Sequence, residues 1–324
     1  MDIYVKKAII HQFSPDDTDL YLADKFLNIT PKIEEYLRKK IERVYSDEAR
    51  TGIFEEDNPF LEMISDDLLE TSVVVANRWK EEFVVSENQK TNDLVFVEFS
   101  KEGVDHFAFL RIALRETLTH LGGEVDNPIK LTQNNLPGFG TGADEALVIN
   151  LQSHKYHLIE KRIKYNGTFL NYFSENLLQA QPKISPKKSI KALEKTAQKI
   201  AESFNTDDFQ FQSKVKSAIF NHIEEENKLS PEKLADDLFD DNLTARLSFI
   251  DQVKEAVPEP VTFEEIDSSR QLKKFENQKL SLSNGIELIV PNNVYEDAES
   301  VEFILNENGT YSILIKNIED IQSK

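Results

Sequence analysis

The amino-acid sequence predicts an α+β fold with a strand-rich N-terminal part, a helical middle and a small antiparallel β-rich C-terminal part. Three observations carry this. Apolar residues alternate with period two in the first half, as in EALVINL at 145–151. The period changes to 3.6 across about 168–256, then returns to two between 279 and 316. The connections between the strand-like runs are short and carry hairpin chemistry, as at Lys101-Glu102-Gly103, Ser283-Asn284-Gly285 and Asn306-Glu307-Asn308-Gly309.

In chain order, the runs 3–13 and 19–27 flank the turn cluster Ser14-Pro15-Asp16-Asp17 and predict a hairpin. Thr30-Pro31 is a helix start, with threonine as cap and proline at the first helical position. Ile33, Leu37, Ile41, Val44 and Tyr45 continue that helix to about Ala49. A second helical stretch covers 59–87, crossed by the β-branched Val73-Val74-Val75. Strands are expected at 93–100 and 104–115, and again at 145–151 and 155–164. Helices are expected at 168–180, 187–205, 207–227, 231–240 and 243–256, closed by Pro258-Glu259-Pro260. The tail reads as strands at 279–283, 285–290, 300–305 and 310–316. The changes of period place a boundary at 165/166. That gives an N-terminal α+β domain over 1–165 and a C-terminal domain over 166–324, helical to 257 and β-rich over 270–318.

Composition narrows the chemistry. The chain of 324 residues has no cysteine, which excludes disulfides, thiolate zinc sites and a cysteine nucleophile, and suits a reducing cytoplasm. No apolar run approaches the ~20 residues of a membrane span, and the opening MDIYVKKAIIHQF lacks the features of a signal peptide. The formal charge of −20 is unevenly spread. Residues 1–154 hold 16 basic and 29 acidic side chains, residues 155–216 hold 12 and 6, and residues 217–324 hold 10 and 23. A basic island thus sits between two acidic segments, so contact with a polyanion is expected through one patch only.

Five of the ten glycines lie in 122–142, and Gly138-Phe139-Gly140-Thr141-Gly142-Ala143 has the letters of a dinucleotide fingerprint. A fingerprint needs a strand before it and a helix after it, whereas a strand-like run follows here, so a loop that binds no nucleotide is expected. Asp93, Glu98 and Lys101 suggest a nuclease edge, but a strand sends Glu98 and Lys101, three apart, to opposite faces. His154 and His157 are likewise three apart, and the acidic runs 224–226, 236–237 and 240–241 lack the glycine of a calcium loop. With no G-x-S-x-G elbow and no phosphate loop, the chain reads as a non-enzyme without cofactor or metal. The basic island has the clearest geometry. At 100° per residue, Lys188, Lys191, Lys195 and Lys199 fall within about an 80° arc over ~16 Å, opposite Ile190, Leu193, Ala197, Ile200 and Phe204. Lys183 and Lys187, and upstream Lys161, Arg162 and Lys164, could extend the patch, while Glu202 interrupts its end. An ordinary solvated helix face is the competing reading.

Several dispersed segments carry a resemblance: Ile10-His11-Gln12, Arg43-Val44-Tyr45-Ser46, Gly52-Ile53-Phe54, the strands of 93–113, Arg270-Gln271-Leu272-Lys273-Lys274-Phe275, Gly285-Ile286-Glu287-Leu288 and the closing hairpin to Ile315. Together they resemble the bacterial nucleoid-associated proteins of the 37-kDa type, over nearly the whole chain. The resemblance implies association with the cytoplasmic nucleoid and DNA binding, with no catalytic residues to carry over. Three alternatives stand beside direct contact with DNA. They are a protein partner reached by an acidic adaptor, a DNA mimic, and an uncharacterised enzyme.

Overall fold

Residues 94–97 and 107–110 are apolar on both faces, which a strand tolerates only when it is covered on both sides. The computed structural model, which describes residues 2–86, 90–120, 129–165, 167–206, 208–263 and 265–322, supplies both covers. The chain packs as two compact units, residues 1–185 and 186–324. The boundary expected from periodicity was 165/166. Packing carries the first unit on to Ser185, because Tyr172, Phe173, Leu177 and Leu178 are buried in its core.

The first unit contains strands β1 (Ile3–Ser14) and β2 (Asp19–Tyr21), helix α1 (Pro31–Glu42), β3 (Arg50–Ile53), helix α2 (Leu68–Phe83), β4 (Asn92–Lys101), β5 (Val104–Ala113), β6 (Arg115–His120), β7 (Ile129–Asn135), β8 (Glu145–Asn150), β9 (Lys155–Ile159), β10 (Ile163–Tyr165) and β11 (Thr168–Leu170). Seven of them form one antiparallel sheet in the order β2-β1-β4-β5-β8-β9-β3. The β4–β5 turn needs two left-handed residues, and Glu102 and Gly103 adopt φ of 54° and 83°. On one face Leu94, Phe96, Phe107, Phe109, Leu147 and Ile149 meet Trp79 and Phe83 of α2. On the other, Val95, Val97, Phe99, Ala108, Leu110 and Val148 meet Leu37 and Ile41 of α1. Helix α2 starts where the Asp67 carboxylate accepts from the Leu69 N–H, and its buried residues recur at helical spacing through Val75, so the β-branched run lies inside the helix.

A polar network crosses the core on the α2 side. Arg111 Nε donates to Glu145 Oε2 at 2.6 Å and Nη1 donates to Asn92 Oδ1 at 2.9 Å. The Tyr172 hydroxyl donates to the same Glu145 oxygen and accepts from Trp79 Nε1 at 3.0 Å. Burial alone would lower the guanidinium's affinity for its proton, but the Glu145 carboxylate overrides this and raises it. At the neighbouring edge Gly52 faces Tyr156, a buried ring packed against Phe54 at 4.3 Å. A Cβ at Gly52 would lie 2.8 Å from Tyr156 Cε1 and closer still to its hydroxyl. Gly52→Ala is therefore expected to destabilise the first unit by about 1–3 kcal/mol, through overpacking and not backbone strain. Urea unfolding followed by the fluorescence of Trp79, the single tryptophan, measures it.

The second unit comprises helices α3 (Pro186–Ser203) and α4 (Phe209–Glu226), strand β12 (Lys228–Leu229), α5 (Pro231–Leu238), α6 (Leu243–Ala256), β13 (Val261–Thr262), α7 (Ser269–Phe275), β14 (Asn277–Ser281), β15 (Glu287–Pro291), α8 (Asn292–Tyr295), β16 (Val301–Leu305) and β17 (Tyr311–Ile315). Helices α3 to α7 enclose a core of Ile190, Leu193, Phe211, Ile219, Leu234, Phe249 and Phe275. Asp208, Ser230 and Asn242 cap α4, α5 and α6 by accepting from backbone N–H groups three residues on. Two separate antiparallel hairpins, β14–β15 and β16–β17, form the tail.

The layout is α+β as the sequence predicts, with local corrections. Segment 168–180 is a hairpin strand and a single π-helical turn at Phe173–Leu177, because Tyr172, Phe173, Leu177 and Leu178 are drawn into the sheet core. Helix α1 ends at Glu42 in a 3-10 turn at Arg43–Tyr45, and the stretch 59–67 is a 3-10 turn and loop. The strand expected over 19–27 stops at Tyr21, and that over 155–164 breaks after Ile159. The glycine-rich stretch expected to be a loop over 134–144 is one from 136 to 144, but the strand β7 that precedes it from Ile129 was not foreseen, and Gly122 and Gly123 lie outside the described residues.

Candidate nucleic-acid interface

Helix α3 begins at Pro186, which suits a first helical turn, and carries its apolar residues on one side. Ile190, Leu193, Ala197, Ile200 and Ala201 are buried, whereas Lys187, Lys188, Lys191, Lys195 and Lys199 are exposed. Lys188, Lys191 and Lys195 make no side-chain hydrogen bond or ion pair among the described residues, so their ammonium groups are held only by solvent. Lys199 Nζ donates to Gln252 Oε1 on α6 at 3.1 Å, a neutral partner that leaves the charge in place.

Two carboxylates border this face. Glu194 is engaged by Lys274 of α7 at 3.3 Å, so an acid beside the lysines is neutralised by a cation from another element. Glu202 accepts from Gln198 Nε2 at 3.2 Å and remains the one acid within the lysine arc of α3. Sequence reasoning missed Lys274 as a member of this surface. Its signal was the pair Lys273-Lys274 between Leu272 and Phe275, apolar positions three apart on what is a short amphipathic helix.

The other basic residues belong to the first unit. Lys161 pairs with Asp144 at 2.8 Å, and Arg162 Nη2 donates to the Phe169 carbonyl at 2.9 Å. Both Lys164 and Lys183 are exposed and have partners of their own. The nine predicted residues are thus divided, four on the first unit and five on α3.

The glycine-rich segment has the opposite polarity to a phosphate cradle. Lys40 of α1, fully buried, donates to the carbonyls of Gly138 at 2.9 Å, Thr141 and Pro137, and the Tyr36 hydroxyl donates to Pro137 O at 3.0 Å. The loop therefore turns carbonyl oxygens toward an ammonium, and strand β8 follows it, not a helix. Burial, with Arg43 and Arg115 adding to it, brings the Lys40 ammonium down to about 8. In β4, Glu98 shares the face of Leu94 and Phe96 while Lys101 shares that of Val97 and Phe99, so the nuclease-like trio diverges. Among the described residues no group of three His, Asp or Glu could hold a metal ion, and no helix is long and apolar enough to cross a membrane.

Comparison with known proteins adds a family to this geometry. No curated protein matches the chain. A family model described as nucleoid-associated protein YejK matches residues 9–321, and the chain belongs to that family.

Proposed function

We propose, on the premise of this nucleoid-associated family, that the protein binds duplex DNA without sequence preference through the lysine face of α3. The observation that carries the reading is the row Lys188, Lys191, Lys195 and Lys199. These are exposed cations on a rigid amphipathic helix, and three of them have no partner among the described residues. A duplex presents about one negative charge per 1.7 Å of axis, so a row of ~16 Å faces several phosphates at once. Lys187 and Lys274 lie on the same unit and strengthen the local field, as Lys183 and the group Lys161, Arg162 and Lys164 would if DNA reached the first unit. The charge of −20 opposes any other approach and makes the affinity modest. That same charge favours the second reading, in which the protein is an acidic adaptor or DNA mimic that reaches the nucleoid through a protein.

For direct binding, log K is expected to fall against log salt with a slope of about −3 to −4. Replacing Lys191 and Lys195 by glutamate is expected to weaken binding to all duplexes alike and to flatten the slope by roughly two. Fluorescence anisotropy on two unrelated duplexes reads both quantities. Unchanged affinity and slope in the doubly substituted protein would remove α3 from the reading. Capture of a chromosomal protein that survives nuclease treatment would then favour the adaptor.

A further inference from the structure

We propose that the outer edge of β17 is a self-association site, at which a second copy of this chain adds its own β17 antiparallel about a twofold axis. The hairpin fixes which backbone groups are free. Asn306 N donates to Thr310 O at 2.8 Å and Lys316 N donates to Ser300 O at 2.9 Å, so the even-numbered residues of the strand pair with β16. The N–H and C=O groups of Tyr311, Ile313 and Ile315 therefore point the other way, and no backbone partner among the described residues meets them. Three free residues centred on Ile313 are self-complementary. Ile313 falls opposite its own symmetry mate and Tyr311 falls opposite Ile315, which closes the ladder without a slip of register.

Charge and side chains support the same occupant. The other strands of the two-stranded sheets that exceed three residues each carry a feature that blunts edge pairing. These are Arg115 and Glu116 in β6, Lys130 in β7, Lys279 in β14, Glu287 and Pro291 in β15, and Glu302 in β16. Strand β17, Tyr-Ser-Ile-Leu-Ile, has none. Leu314 and Ile315 are 47% and 48% exposed, and an isolated two-stranded ribbon is marginal in water. On a chain of charge −20 an uncharged edge is where a like-charged copy meets least repulsion. The rest of the surface still repels, so association should strengthen as salt screens it.

The test uses the full chain. Sedimentation equilibrium is expected to give twice the 37.3 kDa chain mass, with the dimer fraction rising with salt. Ile315→Pro removes an outward N–H and leaves the β16 ladder intact, and should weaken the dimer about tenfold or more. Because the chain lacks cysteine, Ile313→Cys places one thiol on the proposed axis, where paired residues are about 5.5 Å apart and within disulfide reach. That protein should cross-link to a dimer under mild oxidant, whereas Ile289→Cys, exposed on β15, should not. A wild-type protein that stays monomeric at high salt overturns the proposal. So does a dimer that is indifferent to Ile315→Pro and fails to cross-link through position 313.

Discussion

Arg111→Met is expected to cost the first unit about 3–5 kcal/mol, the largest loss from any single substitution considered for this chain. The change leaves the Glu145 carboxylate in a fully buried site with only the Tyr172 hydroxyl to hold it, and frees the Asn92 amide oxygen from its donor. The guanidinium also lies 5.3 Å over the Phe83 ring, a contact methionine keeps only in part. Removing both charges with Arg111→Met and Glu145→Leu together should recover much of the loss, because the cost is that of an unpaired buried charge. Trp79 donates to Tyr172 within this network, so its fluorescence reports the right unit. The single variant should shift the urea midpoint down by about 1–2 M, at a slope of about 2–3 kcal/mol/M. Equal midpoints for the single and double variants would show that the pair acts by packing and not by charge.

Acid should weaken the same unit through His11. The imidazole is buried, accepts from the Ala23 N–H at Nδ1 over 3.0 Å and stands 2.9 Å from Ser72 Oγ at Nε2. Since Ser72 Oγ donates to Leu69 O, the Nε2–H donates to Ser72 and the ring is neutral. Burial lowers its pKa from 6.5 to about 4. The unfolded chain therefore binds the extra proton first. The contribution of His11 is complete above pH 6.5 and is lost as the pH falls toward 4, by about 2–3 kcal/mol at pH 4.5. Burial raises the carboxyl groups of Asp93 and Glu160, which act in the opposite sense over part of this window. The measurement is therefore a difference. His11→Asn keeps an acceptor near the Nδ1 position without titrating, and its stability between pH 7 and 4.5 should fall by about 2–3 kcal/mol less than that of wild type.

Periodicity made most of this architecture legible. The lysines of α3 were readable because 100° per residue separates Lys188, Lys191, Lys195 and Lys199 from Ile190, Leu193, Ala197 and Ile200, and burial follows that division. The β4–β5 hairpin was readable because Glu102-Gly103 suits a turn that needs two positive φ values. Periodicity failed where tertiary contacts override local pattern. Phe169, Tyr172, Phe173 and Leu177 have near-helical spacing, yet the last three are fixed by the sheet core and the first ends in a short strand. The ribbon of β6 and β7 was missed because the strand expected over 104–115 closes at Arg115 and Asn134-Asn135 read as the start of the glycine-rich loop, whereas in the fold Arg115 pairs with Asn135. The clamp of Lys40 on the glycine-rich loop joins residues about a hundred positions apart, and no local rule could announce it.

The order of strands in the first unit has a bearing on how the protein is made. In the large sheet Ile3 lies opposite Lys101, and Arg50 lies opposite Leu158. At about 5–20 residues per second on the ribosome, β1 emerges roughly 5–20 s before β4, its long partner in the sheet, and β3 waits about as long for β9. During that interval Ile3, Val5, Ile9 and Phe13, all buried in the finished unit, have only the three-residue β2 for a neighbouring strand. Such long-range pairing also slows the closing step itself. The growing chain, more than the finished molecule, is where the first unit is open to aggregation and to capture by chaperones.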